Sequence, residues 1–418
     1  MSNLGKRVLI VAYQFPPMGG SGVQRSTKFA KYLKVLGFEP IVYTVESTDG
    51  IMDGTLNEEL QDIEIIRTKA YDFANWKGPF KLVAKVIKRK ILMPDAQWLW
   101  YRKIRKHALG ICKEKAIDIL YTTSYPYSDH LVGLYIKKRL PDLKWVVDFR
   151  DEWTKNPYIL DMNYNPLRKK IEAHMESEVV MLSDQLITNS PHMLEGFTSE
   201  YDIADKSTVI SNGYDPYDFE GLIPKDKDTD KLTITYAGAM YGRRKPDLFL
   251  KSIKKLIDMG RIDEKQIRIQ LIGRFSEAAK EQAYDWITYI DVLEFFDYMP
   301  HKESISFLLG SDVLLLIVGA GPGAKNFYTG KIFEYIYTGV PILAIVPEDG
   351  AAAGVIRASN TGYVIDSLDT AGITEQLATI YQLWKEGQLH IQPVDSIIKQ
   401  YNRYEQTKDL IKVFERLR

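Results

Sequence analysis

Short, wholly apolar runs recur along this chain, each followed by a polar or glycine-bearing turn and then by residues of helical period. That alternation leaves few folds open. Residues 7–12 read RVLIVA, and Gly19-Gly20-Ser21-Gly22 follow. A helical stretch runs from there to about Leu36, Gly37 stops it, and a second apolar run covers 40–45. A run apolar at every position fits a strand covered on both faces. A strand, a glycine-rich loop, a helix and a second strand make a unit of parallel sheet. The glycines do not fit G-x-G-x-x-G, and Pro16-Pro17 precede them, so the loop is not a dinucleotide fingerprint.

Further strands are expected near 63–67, 117–122, 145–148 and 184–189, with a strand and an Asn-Gly turn over 209–215. The polar run 226–231 reads as a linker. The alternation restarts at 232–237 and continues through 267–272, 292–296 and 312–318. Two more strand and helix pairs carry it to about Gly387, and 396–418 reads as one long charged amphipathic helix. The expected fold class is α/β, with two doubly wound Rossmann-like domains facing across a cleft. The expected domains are 1–211 and 212–395, followed by a final helix, 396–418. No sequence repeat relates the halves.

A length of 418 residues suits two or three domains. Lys+Arg and Asp+Glu are both 55, so no basic excess points to nucleic acid. The single cysteine, Cys112, excludes an internal disulfide and a cysteine metal site, and the six histidines show no ligand spacing. The apolar run at the start is too short for a signal peptide, and no run reaches the ~20 apolar residues of a membrane span. A cytoplasmic protein is expected. From 77 to 115 the chain turns basic: Lys81, Lys85, Lys88, Arg89, Lys90, Arg102, Lys103, Arg105 and Lys106 face few acids. Interleaved apolar residues and then Trp98, Trp100 and Tyr101 give this segment the look of one seated on an anionic membrane surface at its inner face. A solvated helix with an ordinary core side is the other reading.

Two polar clusters lie just past strand ends in the first half, where open α/β sheets hold ligands. One runs from Thr123 to His130. The other is Asp148-Phe149-Arg150-Asp151. His130, Asp148, Arg150 and Asp151 are the candidates for the chemistry. His130 tied to backbone, and an Asp148–Arg150–Asp151 structural ion-pair network, are the alternatives. In the second half Thr329-Gly330-Lys331 opens a short helix that carries Glu334 and stops at Gly339. A helix opening offers backbone N–H groups and a positive dipole end to a diphosphate. A carboxylate one turn in can take both hydroxyls of a ribose. Arg243, Arg244 and Lys245 add positive charge beyond Gly238, and Gly273 and Tyr298 could border a base. Gly19 and Gly20 allow close approach in the first half. No Asp-x-Asp pair is placed to hold a diphosphate with Mg²⁺. No metal or other cofactor is expected, and the leaving diphosphate would be met by arginine and helix ends.

Residues 8–45, the clusters 124–130 and 148–153, and the stretches 209–215, 234–246 and 330–344 together resemble the family 4 retaining glycosyltransferases of GT-B fold. The resemblance covers most of the chain, and its strength lies in the order of the motifs. It implies a nucleotide-sugar donor held by the second domain, an acceptor held by the first, and no metal. It implies that Arg244 meets the diphosphate, that Glu334 is the second of a pair of glutamates, and that His130 lies near the donor sugar. Gly19 and Gly20 match the first-loop glycines, and the final helix, 396–418, resembles the one that crosses back to the first domain. Asn326 stands where the first glutamate of the pair would touch the sugar, and Ala239 stands where an arginine often meets the diphosphate. The resemblance is to bacterial members that build surface polysaccharides on lipid-linked acceptors. Retention of configuration and a front-face mechanism come from the resemblance alone. A sugar-nucleotide epimerase of the same fold and a catalytically weak sugar-nucleotide-binding partner protein are the competing readings.

Overall fold

The computed structural model describes residues 5–46, 52–70, 92–238, 243, 245–326 and 329–417. Ala239, Arg244 and the part of the basic segment before residue 92 lie outside the described residues. The chain forms two compact units. It leaves the first at Asn212–Gly213 and re-enters it at Asn402–Arg403.

The first unit is built on seven parallel strands: β1 (Arg7–Val11), β2 (Glu39–Glu46), β3 (Glu64–Lys69), β4 (Ile119–Ser124), β5 (Lys144–Phe149), β6 (Gln185–Thr188) and β7 (Ser207–Val209). Their order is β3-β2-β1-β4-β5-β6-β7. Side chains alternate across the sheet, so β1 feeds two cores. Leu9 and Val11 join Trp100, Ile104, Leu131 and Trp145 on one face. Val8 and Ile10 join Phe29, Leu33 and Phe38 on the other. The helices Trp98–Glu114 and Ser128–Lys137 supply the first face, and Ser21–Val35 the second. Gly37, at φ 88°, ends Ser21–Val35 in the conformation that suits glycine.

The second unit has six parallel strands: β8 (Leu232–Ala237), β9 (Ile267–Ile272), β10 (Leu293–Phe296), β11 (Val313–Ile317), β12 (Ile342–Ile345) and β13 (Gly362–Ile365), in the order β10-β9-β8-β11-β12-β13. Its sheet is also covered on both sides. Leu315, Ile317 and Leu343 pack with Phe249, Leu250 and Leu377. Leu314, Leu316 and Ile342 pack with Ile332, Phe333, Ile336 and Ile356. These are the continuous apolar runs of the sequence, buried on both faces by helices.

Two local expectations are corrected. No turn forms at Asn212–Gly213, where the backbone leaves the first unit and the Asn212 carbonyl accepts a bond from the Gln406 amide at 3.0 Å. Residues 396–418 are not one helix. Asp395–Lys399 and Arg403–Glu415 are separate helices. The break is used: the Tyr401 carbonyl accepts from the Tyr214 N–H at 3.0 Å, and the Tyr401 ring packs on Phe333. Arg403–Glu415 belongs to the first unit, where Leu410, Val413 and Phe414 complete the core around Phe38.

The basic segment divides in the same way. In its described part, Trp98–Glu114 buries Trp100, Ile104, Ala108, Ile111 and Cys112, while Arg102, Lys103 and Lys106 are exposed. Trp100 is a core residue here, unavailable to a surface. Among the described residues no helix is long and apolar enough to cross a membrane.

Candidate functional site

In each sheet the strand order reverses beside its first strand, between β1 and β4 and between β8 and β11. Open parallel sheets hold ligands past the strand ends at such a reversal.

In the second unit the ends of β8 and β9 are hooked to their neighbours. The Gly238 N–H donates to the Ile272 carbonyl at 2.7 Å, and the Gly273 N–H to the Phe296 carbonyl at 2.9 Å. Gly238 has φ 131°, and a Cβ there would stand 2.5 Å from the Lys331 ammonium. Glycine at 238 therefore lets Lys331, from the helix Lys331–Thr338, reach the end of β8, where its ammonium lies 3.8 Å from the Tyr236 ring centre. Lys331 and Gly238 are thus brought together. Arg243 lies against the loop after β11: its guanidinium donates to the Pro322 carbonyl at 2.8 Å, and a side chain at Gly321 would collide with it. Tyr298 is half-buried with the Arg274 guanidinium 6.0 Å from its ring centre, and Asn326 closes the short turn Ala324–Asn326.

The helix opening differs from the expectation in one respect. The Ile332 and Phe333 N–H groups turn back to the Thr329 and Gly330 carbonyls, at 3.3 Å each, so these donors are already engaged, though at long range. The hydroxyl of buried Thr329 has no partner among the described residues. Glu334, partly exposed in the first turn, accepts a bond from the His301 ring Nε2 at 2.8 Å.

In the first unit the charges behave otherwise. Asp148, at the end of β5, receives both arms of Arg25 at 2.7 and 2.8 Å, the Tyr121 hydroxyl at 2.5 Å and the Thr123 hydroxyl at 3.0 Å. Burial alone would raise the Asp148 carboxyl, but Arg25 and the hydroxyls hold it below the usual carboxylate range. Arg25 also donates to the Ser211 carbonyl at 2.7 Å. Sequence reading missed Arg25 because its partner lies 123 residues away. Its signal was an arginine inside a helix that turns Val23, Phe29, Ala30 and Leu33 to the core. Arg150 is spread over three carbonyls, those of Ser124, Gly22 and Tyr125, and so ties its own loop to the end of β4 and to the first turn of Ser21–Val35. Asp148 and Arg150 thus brace their surroundings, Asp148 through Arg25 and Arg150 through backbone carbonyls. Asp151 follows them, half-buried.

His130 is fully buried at the start of Ser128–Lys137, with its ring against Phe149. Its Nδ1 is 2.8 Å from the Thr122 hydroxyl, which accepts the Trp145 indole N–H at 3.0 Å. An indole only donates. With the Thr122 proton assigned to Nδ1, the His130 ring hydrogen sits on Nε2. That Nε2 has no partner among the described residues. Burial pushes the imidazole down to about 3, so the ring is a neutral donor at physiological pH. Gly20, at φ 99°, caps Ser21–Val35; space beside it is open among the described residues, with Gly19 half-buried next to it.

Residues 20–217 match the sequence profile of Glycosyltransferase Family 4. No curated protein matches the sequence. A glycosyltransferase from Rickettsia africae is similar in structure, with TM-score 0.65 and 17% identity over 99% of this chain and 98% of that one. Anabaena HepE, solved in complex with UDP and glucose, gives TM-score 0.64 and 11% identity over 98% and 99%. WaaG, a glycosyltransferase involved in lipopolysaccharide biosynthesis, gives 0.61 and 14% over 98% of each chain. At these identities the likeness is one of fold.

Proposed function

We propose that this chain, a family 4-like protein of GT-B fold, moves a sugar from a nucleoside-diphosphate sugar to a hydroxyl acceptor. The observation that carries the reading is the cradle at the second reversal point, where Gly238 admits the Lys331 ammonium to the end of β8. In this reading the diphosphate meets Lys331, Arg243 and Arg244, the Thr329 hydroxyl donates beside Gly330, and Glu334 takes the ribose. Gly273 and Tyr298 border the base, and Asn326 meets the sugar in place of a glutamate. Gly19 and Gly20 are proposed to leave room for a ligand at the start of Ser21–Val35. That HepE was solved with UDP and glucose supports a nucleotide-sugar ligand.

The reaction is proposed as retaining and metal-independent. The bond from the sugar's anomeric carbon to the phosphate oxygen breaks, and a bond to the acceptor oxygen forms on the same face. The acceptor proton passes to the leaving phosphate. Fixed cations near that phosphate act where charge develops, which lowers the barrier more than equal binding of the ground state would. His130 offers a neutral N–H, Asp148 and Arg150 brace the loops behind it, and Asp151 borders the acceptor. The acceptor is proposed to be a lipid-linked glycan in surface polysaccharide synthesis, as the part WaaG takes in lipopolysaccharide biosynthesis suggests. The basic segment before residue 92 is proposed to seat the protein at the inner membrane face. An epimerase would need an acid and base in the site. Asp148 is committed to Arg25 and His130 is neutral, which weighs against that reading.

A thermal-shift screen against UDP, GDP, ADP, TDP and CMP, without metal and then with Mg²⁺, tests the proposal. A ligand of the folded state raises the melting midpoint with its occupancy. One diphosphate acting without metal is the expected result. No stabilisation by any of them, with or without metal, overturns the nucleotide site. Binding without turnover of any nucleotide sugar would favour a binding protein.

A further inference from the structure

We infer that His301 is a positioning residue for nucleotide recognition, one that fixes the Glu334 carboxylate with Asp218 behind it. The inference rests on the nucleotide reading above.

Three separate elements of the second unit converge on this point. His301 opens the helix His301–Leu309, directly after β10 and Pro300. Its Nε2 lies 2.8 Å from Glu334 Oε1. Its Nδ1 lies 4.0 Å from Asp218 Oδ2, on the turn Pro216–Asp218. That turn is not loosely placed. Tyr214 stacks on Tyr337 with ring centres 4.0 Å apart, and Phe219 meets the same ring edge-on at 4.7 Å. Tyr337 belongs to the Glu334 helix, so the Asp218 turn and Glu334 are carried by one packed block.

An ionised carboxylate only accepts, so His301 must present its Nε2 proton to Glu334. The bond fixes one carboxylate oxygen, and with it the carboxylate plane. A glutamate in the first turn of a helix otherwise samples several rotamers, and ordering it on binding costs free energy. Holding it beforehand removes that cost from the ligand. Asp218 Oδ2 lies 4.0 Å from Nδ1 on the far side of the ring, beyond hydrogen-bond reach, so it faces the ring as a charge and orients it when both ring nitrogens carry protons. The three side chains are partly to deeply buried, with side-chain exposures of 22% for Glu334, 17% for His301 and 6% for Asp218, which distinguishes them from a freely solvated surface pair.

A purely structural histidine would stabilise the fold and leave ribose recognition alone. The experiment separates the two. Affinities of the full chain for UDP, GDP and ADP are measured by calorimetry, and the tightest of these is compared with its 2′,3′-dideoxy form. The comparison is repeated with His301→Ala, His301→Leu, which keeps volume without a donor, and His301→Gln, which restores an N–H of similar reach. The expected result is a loss of roughly tenfold for the ordinary diphosphate in the Ala and Leu variants, the effect of about one lost hydrogen bond. The dideoxy form should change less than about twofold, within the range of a distant contact. His301→Gln should recover most of the loss, and Asp218→Asn should show a smaller loss of the same kind. Equal losses for both forms, or none for either, overturn the inference and leave the nucleotide site standing. If the wild type binds none of the three diphosphates, the nucleotide reading falls and the inference with it. If it binds a diphosphate and its dideoxy form equally, Glu334 is not the ribose ligand and the inference alone fails.

Discussion

Arg25 and Lys331 are both cations brought to the C-terminal edge of a parallel sheet, and they differ in what receives them. Arg25 finds a carboxylate, two backing hydroxyls and a carbonyl within its own unit, and its side chain is 1% exposed. Lys331 lies over a tyrosine ring, against a glycine that has no side chain to cover it. Arg150 repeats the first pattern with three carbonyls, and Glu334 repeats the second, partly exposed with a histidine at one oxygen. Charge density alone does not mark a site. A buried ion pair costs desolvation and needs near-complete pairing to persist. Charges that a sheet edge leaves beside glycine are the ones proposed to meet a ligand.

The strongest way to break this contrast is Asp148→Asn. It strands the buried Arg25 cation, so a loss of about 3–5 kcal/mol in the stability of the first unit is expected. Urea unfolding followed by two probes, one for each unit, reads it. A loss below about 1 kcal/mol would mean that the pair is not a brace. The counterpart is Glu334→Ala, which should weaken diphosphate affinity by roughly 1.5–3 kcal/mol and leave the melting midpoint of the free protein nearly unchanged. Unchanged affinity removes Glu334 from the site.

His130 sharpens the comparison through pH. Its folded value, about 3, lies below that of an unfolded imidazole, near 6.5. Its contribution is therefore fully present above about pH 6.5 and is lost as the pH falls towards 3. At pH 5 the wild type should have lost about 2 kcal/mol on this account, and His130→Gln should show a flatter stability curve between those limits. An unchanged slope would mean that the ring is charged in the folded protein. Asp95 works with the opposite sign: burial pushes its carboxyl up to about 6, so its contribution is lost as the pH rises through that value. The variant and the wild type share Asp95, so it cancels in the difference.

The smallest expected effect is on the helix Trp98–Glu114. Lys103→Gln together with Lys106→Gln should change stability by less than about 0.5 kcal/mol, because both residues are exposed and the core side does the packing. Vesicle binding measured on the same variant, and on one lacking Lys85, Lys88, Arg89 and Lys90, separates the two parts of the basic segment. Undiminished binding by the second variant removes that stretch as a membrane seat.

The strands and the doubly wound order were legible because a parallel sheet covered on both faces calls for apolar runs, and VLIVA and VLLLI are such runs. The helix start at Lys331 and its stop at Gly339, φ 74°, were legible because turn chemistry is local. What spans sequence distance was not. Arg25 meets Asp148, and His301 meets Glu334, only through the fold. The break at 400–402 escaped notice because the pattern there stays helical, and its cause is a bond to Tyr214 made far back in the chain. Thr122 gave no signal, since a threonine inside a β-branched strand looks like any other; only the Trp145 and His130 rings on either side reveal its place.

The interrupted first unit has a consequence for synthesis. Leu410, Val413 and Phe414 close the same core that Val8, Ile10 and Phe38 open, and Arg416 reaches back to Thr208. While residues 213–402 emerge from the ribosome, the core under Ser21–Val35 lacks Leu410, Val413 and Phe414. Contacts this distant in sequence form late, and exposed apolar surface in the interval invites chaperones or aggregation. A nascent chain arrested before residue 403 should therefore be held by chaperones longer than one that has passed residue 414.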